Sequence, residues 1–226
     1  MIDLYTAATP NGFKASIALE ELALPYTVHP VNLRNGEQFA PAFLRISPNN
    51  KIPAIVDRDA GDQAVFESGA ILVYLAEKTG RLLPKAGPGR YAALEWTFFQ
   101  ASHVGPTLGQ YHHFANYAVD KLPYAIERFA NEAKRVFGVV DKRLGESPYL
   151  GGAEYTIADI QNYTWLSGHA RVGIDVAQFP HLGRWLQELG ARPAVQRGMA
   201  LPPRDETPMD AKARENLFGK AQFEKR

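Results

Sequence analysis

Short apolar runs alternate with segments of helical period over the first 80 or so residues. Four runs have the composition of buried strands, at 2–6, 26–31, 54–57 and 64–66. Three segments have the spacing of helices, at 12–23, 40–46 and 68–80. The predicted order is β-α-β-α-β-β-α, and its opening β-α-β unit implies a parallel pair of strands.

The pattern changes after about residue 88, where long helical segments follow one another without alternating strand-like runs. Helices are predicted near 90–117, 124–145, 157–173, 179–190 and 193–199. The fold class is therefore an α/β domain followed by an all-helical bundle. The predicted boundaries are an α/β domain at 1–82, a linker at 83–89, a helical domain at 90–200 and a charged surface tail at 201–226.

The first predicted helix has apolar side chains on one side and charged ones on the other. Phe13, Ile17 and Leu22 fall on the apolar face, and Lys14 and Glu20 fall opposite them. We therefore expect Lys14 on the polar face of this helix.

Charge and hydropathy argue against two classes of partner, nucleic acids and membranes. The 226 residues include 25 Lys and Arg against 24 Asp and Glu, so the net charge is only +1. Such a balance provides no broad field for nucleic acid or an anionic membrane. No segment approaches the roughly 18 uninterrupted apolar residues of a membrane span, and the first residues do not resemble a signal peptide. We expect a cytoplasmic protein without nucleic-acid or membrane partners.

The chain contains no cysteine. This excludes disulfides, thiolate metal sites and a cysteine nucleophile, so any sulfur chemistry must come from a ligand. His112 and His113 are neighbours on a helix and point about 100° apart, so they cannot converge on one ion. We expect no metal site.

Thr9 and Asn11 lie between the first strand and the first helix. Either residue could cap the helix, which stabilises a helix by about 1 kcal/mol. The same hydroxyl and amide could also hold a ligand anion, since a helix N-terminus carries roughly +0.5 charge. Both interpretations can hold together.

Glu67 and Ser68 join the last strand to a further helix. Ser68 has the character of an N-cap, and its helix start would point to the same sheet edge as the first helix. A carboxylate could bind at Ser68 and an ammonium at Glu67, so the pair suits an amino-acid head group.

Three further features have ordinary structural explanations. Pro53 precedes a strand, where a trans bond is the common form and a cis bond would leave the Ile52 backbone free to pair with an extended peptide. Arg128 could pair with Glu132 on a solvated helix face. The segment 156–159 has the pattern of a capping box.

Four motifs in order resemble the glutathione transferase superfamily, in particular its nu class of bacterial disulfide-bond oxidoreductases related to fungal nitrogen regulators. They are TPNG at 9–12, ISPNNKIPAIVD at 46–57, FESGAIL at 66–72 and PYAIER at 123–128. The resemblance covers roughly residues 1 to 200. It implies a thioredoxin-like N-terminal domain, a cis peptide bond before Pro53 and glutathione as the co-substrate.

The resemblance also implies roles for individual residues. Thr9 and Asn11 would be the hydrogen-bond donors that face the glutathione sulfur. The remaining contacts would be Ile52 to the cysteinyl part, Glu67 and Ser68 to the γ-glutamyl head, Lys51 and Gln38 near the glycyl end, and Arg128 from the other subunit of a homodimer. Tyr5, inside the first strand, is the alternative activating hydroxyl, although core packing is its expected role.

The expected function is a glutathione-dependent disulfide reductase acting on small thiols and disulfides. With no protein thiol, exchange would use two glutathione molecules or one bound glutathione disulfide. One alternative is a transferase that conjugates glutathione to electrophiles, in an apolar pocket near Tyr111 and Trp165. The other is a non-catalytic glutathione-binding regulatory protein.

Overall fold

The computed structural model describes residues 1–204 and 207–225. They form two compact units. The first combines residues 1–78 with the chain from 193 onward, and the second is Thr79–Arg192. The predicted boundaries instead placed 193–200 in the helical domain, so the structure differs from the prediction at this point.

A four-stranded mixed sheet is the centre of the first unit. Its strands are Ile2–Thr6 (β1), Tyr26–Pro30 (β2), Ala54–Asp57 (β3) and Gln63–Phe66 (β4). The order across the sheet is β2-β1-β3-β4. Strands β1 and β2 are parallel, whereas β3 is antiparallel to both of its neighbours. This arrangement confirms the predicted α/β order and its parallel opening pair.

Three helices connect these strands: Pro10–Leu22 (α1), Pro41–Ile46 (α2) and Ser68–Thr79 (α3). The Thr9 hydroxyl oxygen caps α1 by accepting a hydrogen bond of 3.1 Å from the Gly12 backbone N–H. Pro10 occupies the first turn, where its missing N–H leaves no bond unmade. The helix ends at Leu22 and is followed by Ala23, which adopts a left-handed conformation.

The second unit is helical. Its α-helices are Pro88–Phe99 (α4), Gly105–His112 (α5), Pro123–Glu146 (α6), Ile157–Leu166 (α7) and Pro180–Gly190 (α8). Segments of π-helix, Gln100–Val104 and His113–Tyr117, extend α4 and α5 into one helical stretch. The predicted helix near 90–117 is therefore present, but with two π-helical segments. The all-helical character of this unit is confirmed.

The capping box at the start of α7 is confirmed. The Asp159 carboxylate accepts a hydrogen bond of 2.9 Å from the Thr156 backbone N–H, and the Thr156 hydroxyl accepts one of 3.3 Å from the Ala158 N–H. Asp159 is fully buried and also accepts bonds from the Leu150 backbone and the Trp185 indole. Since a buried carboxylate is stabilised only by such bonds, this network fixes the N-terminus of α7 inside the unit.

The segment from 193 onward folds onto the first unit as Pro193–Met199 (α9), Ala211–Phe218 (α10) and Ala221–Glu224 (α11). Gly198 of α9 lies against α1, where a side chain would come within 2.6 Å of the Ile17 backbone. The Ser16 hydroxyl donates a bond of 2.7 Å to the Gly198 carbonyl. Residues 201–226 were predicted to be a surface tail, yet Ala213, Asn216 and Ala221 are buried.

The prediction is wrong for part of 201–226, because some small and amide side chains lie on faces that dock onto the first unit, while Phe218 and Phe223 stay exposed. Three positions of that predicted tail, 205, 206 and 226, lie outside the described residues. Within the described part of the chain, no helix is long and apolar enough to cross a bilayer.

Asp57 at the end of β3 links the sheet to α3. Its buried carboxylate accepts bonds of 2.6 Å from the Tyr74 hydroxyl and from the Lys78 ammonium, and one of 3.1 Å from the Asp59 backbone N–H. Burial acts to raise the pKa of Asp57, but the bonds from Lys78, Tyr74 and Asp59 outweigh it and hold that pKa below its usual value.

Asp57→Asn is expected to lower the stability of the first unit by about 2 kcal/mol at neutral pH, a shift of roughly 4 to 8 °C in Tm. A lowered folded-state pKa stabilises above the unfolded value of about 3.9, and that contribution disappears as the pH falls through the folded value. Thermal unfolding of both proteins from pH 7 to pH 2.5 checks this. A Tm difference that stays constant below pH 4 contradicts it.

Candidate functional site

The register of three strands brings three separate loops to one edge of the sheet. Tyr5 of β1 pairs with Ala54 of β3, and Ala54 pairs with Phe66 of β4. Because these neighbours are antiparallel, the ends of β1 and β4 lie beside the start of β3. The segments that follow β1, precede β3 and follow β4 therefore meet at this edge.

An open pocket of about 210 Å³ lies at this edge. Six of the predicted site residues line it: Asn11, Lys51, Ile52, Pro53, Glu67 and Ser68. The other lining residues were not predicted, and they are Ser47, Asn49 and Phe66. The three loops thus contribute an amide, an ammonium, a carboxylate, a hydroxyl and free backbone to one cavity.

The turn from β1 into α1 is tightly packed around Gly12. A Cβ at this position would lie 2.1 Å from the Ala7 carbonyl oxygen and 2.5 Å from the Thr6 hydroxyl. Glycine therefore allows the chain to fold closely enough for Thr9 to cap the helix and for Asn11 to reach the pocket. Thr9 itself is not among the lining residues.

The turn from β4 into α3 places Glu67 in the left-handed region, at a φ of +69°. The Glu67 carbonyl accepts a hydrogen bond of 2.9 Å from the Ile71 N–H, and α3 begins at Ser68. Glu67 therefore occupies the N-cap position that was predicted for Ser68. Both side chains line the pocket.

The peptide bond between Ile52 and Pro53 is cis, as the family resemblance implied. The loop before it is held by the Ser47 hydroxyl, which donates a bond of 2.7 Å to the Lys51 carbonyl. This hydrogen bond holds the loop where Lys51, Ile52 and Pro53 line the pocket.

Lys14 lies behind the pocket, contrary to the expected polar face of α1. Its side chain is 1% exposed, because α1 is covered on nearly all sides. Its Nζ group donates bonds of 2.9 Å to Asn11 Oδ1 and 3.4 Å to Ser68 Oγ. Burial lowers the pKa of Lys14 well below its usual value, and the Glu67 carboxylate acts in the opposite direction. The spacing of three residues from Asn11 is the one sequence signal for this contact.

Helices α10 and α11 contact two of the predicted glutathione-binding residues. Lys51 Nζ donates a hydrogen bond to Gln222 of α11. Gln38 is 2% exposed, and its amide donates a bond of 3.2 Å to the Asn216 carbonyl of α10. The structure therefore does not bring Gln38 to the pocket lining, because α10 covers it.

Arg128 lies on α6 in the second unit, where its side chain is 58% exposed. Its guanidinium is 3.8 Å from Glu132, whose carboxylate forms a shorter ion pair of 2.6 Å with Arg135. The expected ion pair with Glu132 exists, but its length makes it a weak constraint on Arg128.

Tyr5 packs inside the first unit. Its ring stacks on His29 with centroids 4.7 Å apart and lies against Phe43 at 6.5 Å. Both contacts belong to core packing beside β1. No group of three potential ligand side chains converges as a metal site among residues 1–204 and 207–225.

A known family combines these features. They are the mixed sheet, the cis proline, the two helix N-termini at one sheet edge and the helical second unit. Residues 1–77 match the glutathione S-transferase N-terminal domain, and residues 124–193 match its C-terminal domain. The chain belongs to the glutathione S-transferase family, which confirms the resemblance and the predicted fold class.

Comparisons within this family favour one branch. The chain is 50% identical to disulfide-bond oxidoreductase YfcG of Escherichia coli over 205 residues, which cover 89% of this chain and 94% of that protein. A glutathione transferase of Burkholderia graminis with two glutathione molecules bound per subunit is similar at 40% identity and a TM-score of 0.84, covering 90% of this chain and 89% of that one.

A second similar structure is a glutathione transferase of Pseudomonas putida with one glutathione disulfide bound per subunit. Its identity is 41% and its TM-score 0.82, and the match covers 89% of this chain and 91% of the other. These proteins place the chain with the disulfide-bond oxidoreductases of the nu class.

Gly12→Ala is expected to lower Tm by several degrees, because the added methyl group meets backbone at 2.1 Å and the turn before α1 must open. Gly138→Ala is the matched control, since a Cβ there has its nearest neighbour at 4.0 Å and alanine favours the helix. Differential scanning calorimetry compares the two. Equal Tm values for Gly12→Ala and the wild type are the contrary result.

Proposed function

We propose that this chain is a glutathione-dependent disulfide-bond oxidoreductase. The observation that carries the proposal is a pocket suited to a peptide with an amino-acid head group, in a chain without cysteine. In the overall reaction two glutathione thiols reduce one disulfide, giving two product thiols and glutathione disulfide. A bound glutathione thiolate attacks the disulfide, and the resulting mixed disulfide is resolved by the second thiolate. A cytoplasmic setting, where thiols are kept reduced, fits this chemistry.

The γ-glutamyl head is the part of the ligand that Glu67 and Ser68 would hold. Glu67 offers a carboxylate to the ammonium, and the Ser68 hydroxyl and the first amides of α3 offer donors to the carboxylate. Donors at a helix N-terminus favour an anion because the helix dipole adds to their hydrogen bonds. The ammonium and the carboxylate of the γ-glutamyl head are thereby both bound.

The cysteinyl part would lie along the Ile52 backbone. The Ile52–Pro53 segment lines the pocket beside the first residue of β3, so an extended peptide can pair with it in the manner of an added strand. Lys51 lies next in the chain and supplies a cation for the glycyl carboxylate. Gln38, which α10 covers, is left out of this set of contacts.

Thr9 and Asn11 are the proposed donors to the sulfur. The Thr9 oxygen accepts its bond from the Gly12 N–H, so its own hydroxyl proton can be donated elsewhere. Asn11 lines the pocket directly. Tyr5 remains in the core beside His29 and Phe43.

Thiol acidification alone contributes little to such a reaction. Lowering a thiol pKa from about 8.5 by about 2 units raises the thiolate fraction near pH 7 roughly 25-fold. A Brønsted slope of about 0.45 lowers the nucleophilicity roughly 8-fold, so the net gain is only about 3-fold. Alignment of the attacking and leaving sulfurs must therefore supply most of the rate. A site that holds two glutathione molecules provides that alignment.

We further propose that the active form is a homodimer in which Arg128 reaches the ligand of the other subunit. Two aromatic side chains of α4, Tyr91 and Phe98, are one heptad apart on a helix face and largely exposed. Such a face is suited to a partner. Arg128 is exposed and only weakly engaged with Glu132.

Reduction of bis(2-hydroxyethyl) disulfide with glutathione as the electron donor tests the function. We expect turnover well above the uncatalysed exchange rate and weak conjugation of an aryl halide. High conjugation with negligible disulfide reduction selects a conjugating transferase instead. Glutathione binding without turnover of either substrate selects a regulatory protein.

Asn11→Ala is expected to lower kcat for disulfide reduction by about 100-fold, the effect of removing one preorganised donor. Its Kd for glutathione is expected to change less than about 3-fold, because the other contacts of the tripeptide remain. Steady-state kinetics and isothermal titration calorimetry give the two values. Losses of equal size in kcat and in binding refute a role at the sulfur.

Arg128→Ala is expected to weaken glutathione binding by about 10-fold, since a charge-assisted bond to the ligand is lost. Arg135→Ala is the control on the same helix, because Arg135 pairs with Glu132 at 2.6 Å and has no proposed ligand contact. Calorimetric Kd values compare them. An unchanged Kd for Arg128→Ala supports the plain ion pair with Glu132.

A further inference from the structure

Lys14 is an ionisable side chain in a position where folded proteins rarely have one. It is 1% exposed in a helix whose other residues around it are small or apolar. A lysine is almost never fully buried unless its nitrogen has polar partners, because removing the charge from water is costly. The partners of Lys14 therefore indicate why it is there.

Those partners belong to the pocket described above. Lys14 Nζ donates to Asn11 Oδ1 at 2.9 Å and, over a longer distance of 3.4 Å, to Ser68 Oγ. The carboxylate of Glu67 acts on it electrostatically. Lys14 thus lies behind residues from two of the three loops that form the pocket.

The bond to Asn11 determines the orientation of that amide. An asparagine side chain has one accepting oxygen and one donating nitrogen, and a lysine nitrogen donates in both its charged and its neutral form. The oxygen of Asn11 must face Lys14, so its Nδ2 group is directed away from Lys14. Without this bond, a rotation of the amide would present an oxygen to a thiolate, which repels it.

We propose that Lys14 is a positioning residue for thiol–disulfide exchange, which fixes the Asn11 amide so that its Nδ2 group donates to the glutathione sulfur. The inference rests on the proposed function. It adds a residue that does not touch the ligand and acts through Asn11. The longer contact with Ser68 is the weaker one, so the effect falls on turnover more than on binding of the γ-glutamyl head.

A double-mutant cycle tests whether Lys14 acts through Asn11. Lys14→Met keeps an unbranched side chain of similar volume, one atom shorter, and removes the donor. We expect Lys14→Met to lower kcat for bis(2-hydroxyethyl) disulfide reduction by about 10-fold or more, with less than about a 3-fold change in the Kd for glutathione. Combined with Asn11→Ala, the same change should lower kcat by less than about 2-fold further, because residues acting as a unit are not additive.

Two further measurements separate positioning from stability. Ser16→Ala removes a buried bond from the same helix to Gly198 and has no contact in the pocket lining, so it is expected to lower Tm without changing kcat. The ultraviolet absorbance of the thiolate follows the pKa of bound glutathione, which should be higher in Lys14→Met than in the wild type and unchanged in Ser16→Ala.

The inference is overturned if Lys14→Met keeps kcat within about 2-fold of the wild type, or if its effect multiplies fully with that of Asn11→Ala. Should Lys14→Met not fold, Lys14→Leu, which also lacks a donor, takes its place in the cycle under the same criteria. Wild-type protein without disulfide reductase activity would instead refute the proposed function. The two failures are therefore distinguishable.

Discussion

The pairing of β3 with both β1 and β4 is the constraint from which the site follows. β3 runs opposite to both neighbours, so its start lies beside their ends. Three loops that are far apart in the chain must then meet at one sheet edge. Two of them lead directly into helices, α1 and α3, whose N-termini face the same place. A polar pocket with donors from helix starts is a consequence of this topology.

The chemistry of the pocket depends on what the chain lacks as much as on what it supplies. Without cysteine, the polypeptide cannot form a covalent intermediate through sulfur. In the proposed function, its contribution is to bind the ends of a tripeptide and to direct hydrogen-bond donors at the sulfur. In the proposed function the reacting sulfurs all belong to ligands, and the protein provides their alignment.

The local elements and most of the pocket could be predicted from the sequence, because they depend on short-range patterns. The strands, α1 to α3 and the Asn11, Glu67 and Ser68 positions follow from apolar runs, turns and helix starts, whereas the place of Ile52 beside a cis proline was implied by the family resemblance. The environment of Lys14 could not be predicted, since α9 covers α1 from about 180 residues further along the chain. An amphipathic pattern assumes that one helix face meets water, and here almost none does.

The C-terminal segment illustrates the same limit. Its high charge suggested a surface tail, but a few buried side chains, such as Asn216, decide where α10 and α11 dock. That docking covers Gln38 and brings Gln222 to Lys51. The charge content of a segment indicates how much of it faces water. It does not indicate which of its residues are buried.

A crystal structure of the protein with glutathione disulfide tests the central claim most directly. The account predicts a γ-glutamyl head at Glu67 and Ser68, and one ligand sulfur within hydrogen-bonding distance of the Thr9 hydroxyl and the Asn11 amide nitrogen. A ligand sulfur directed at the Tyr5 hydroxyl, or glutathione disulfide bound away from this sheet edge, would contradict it.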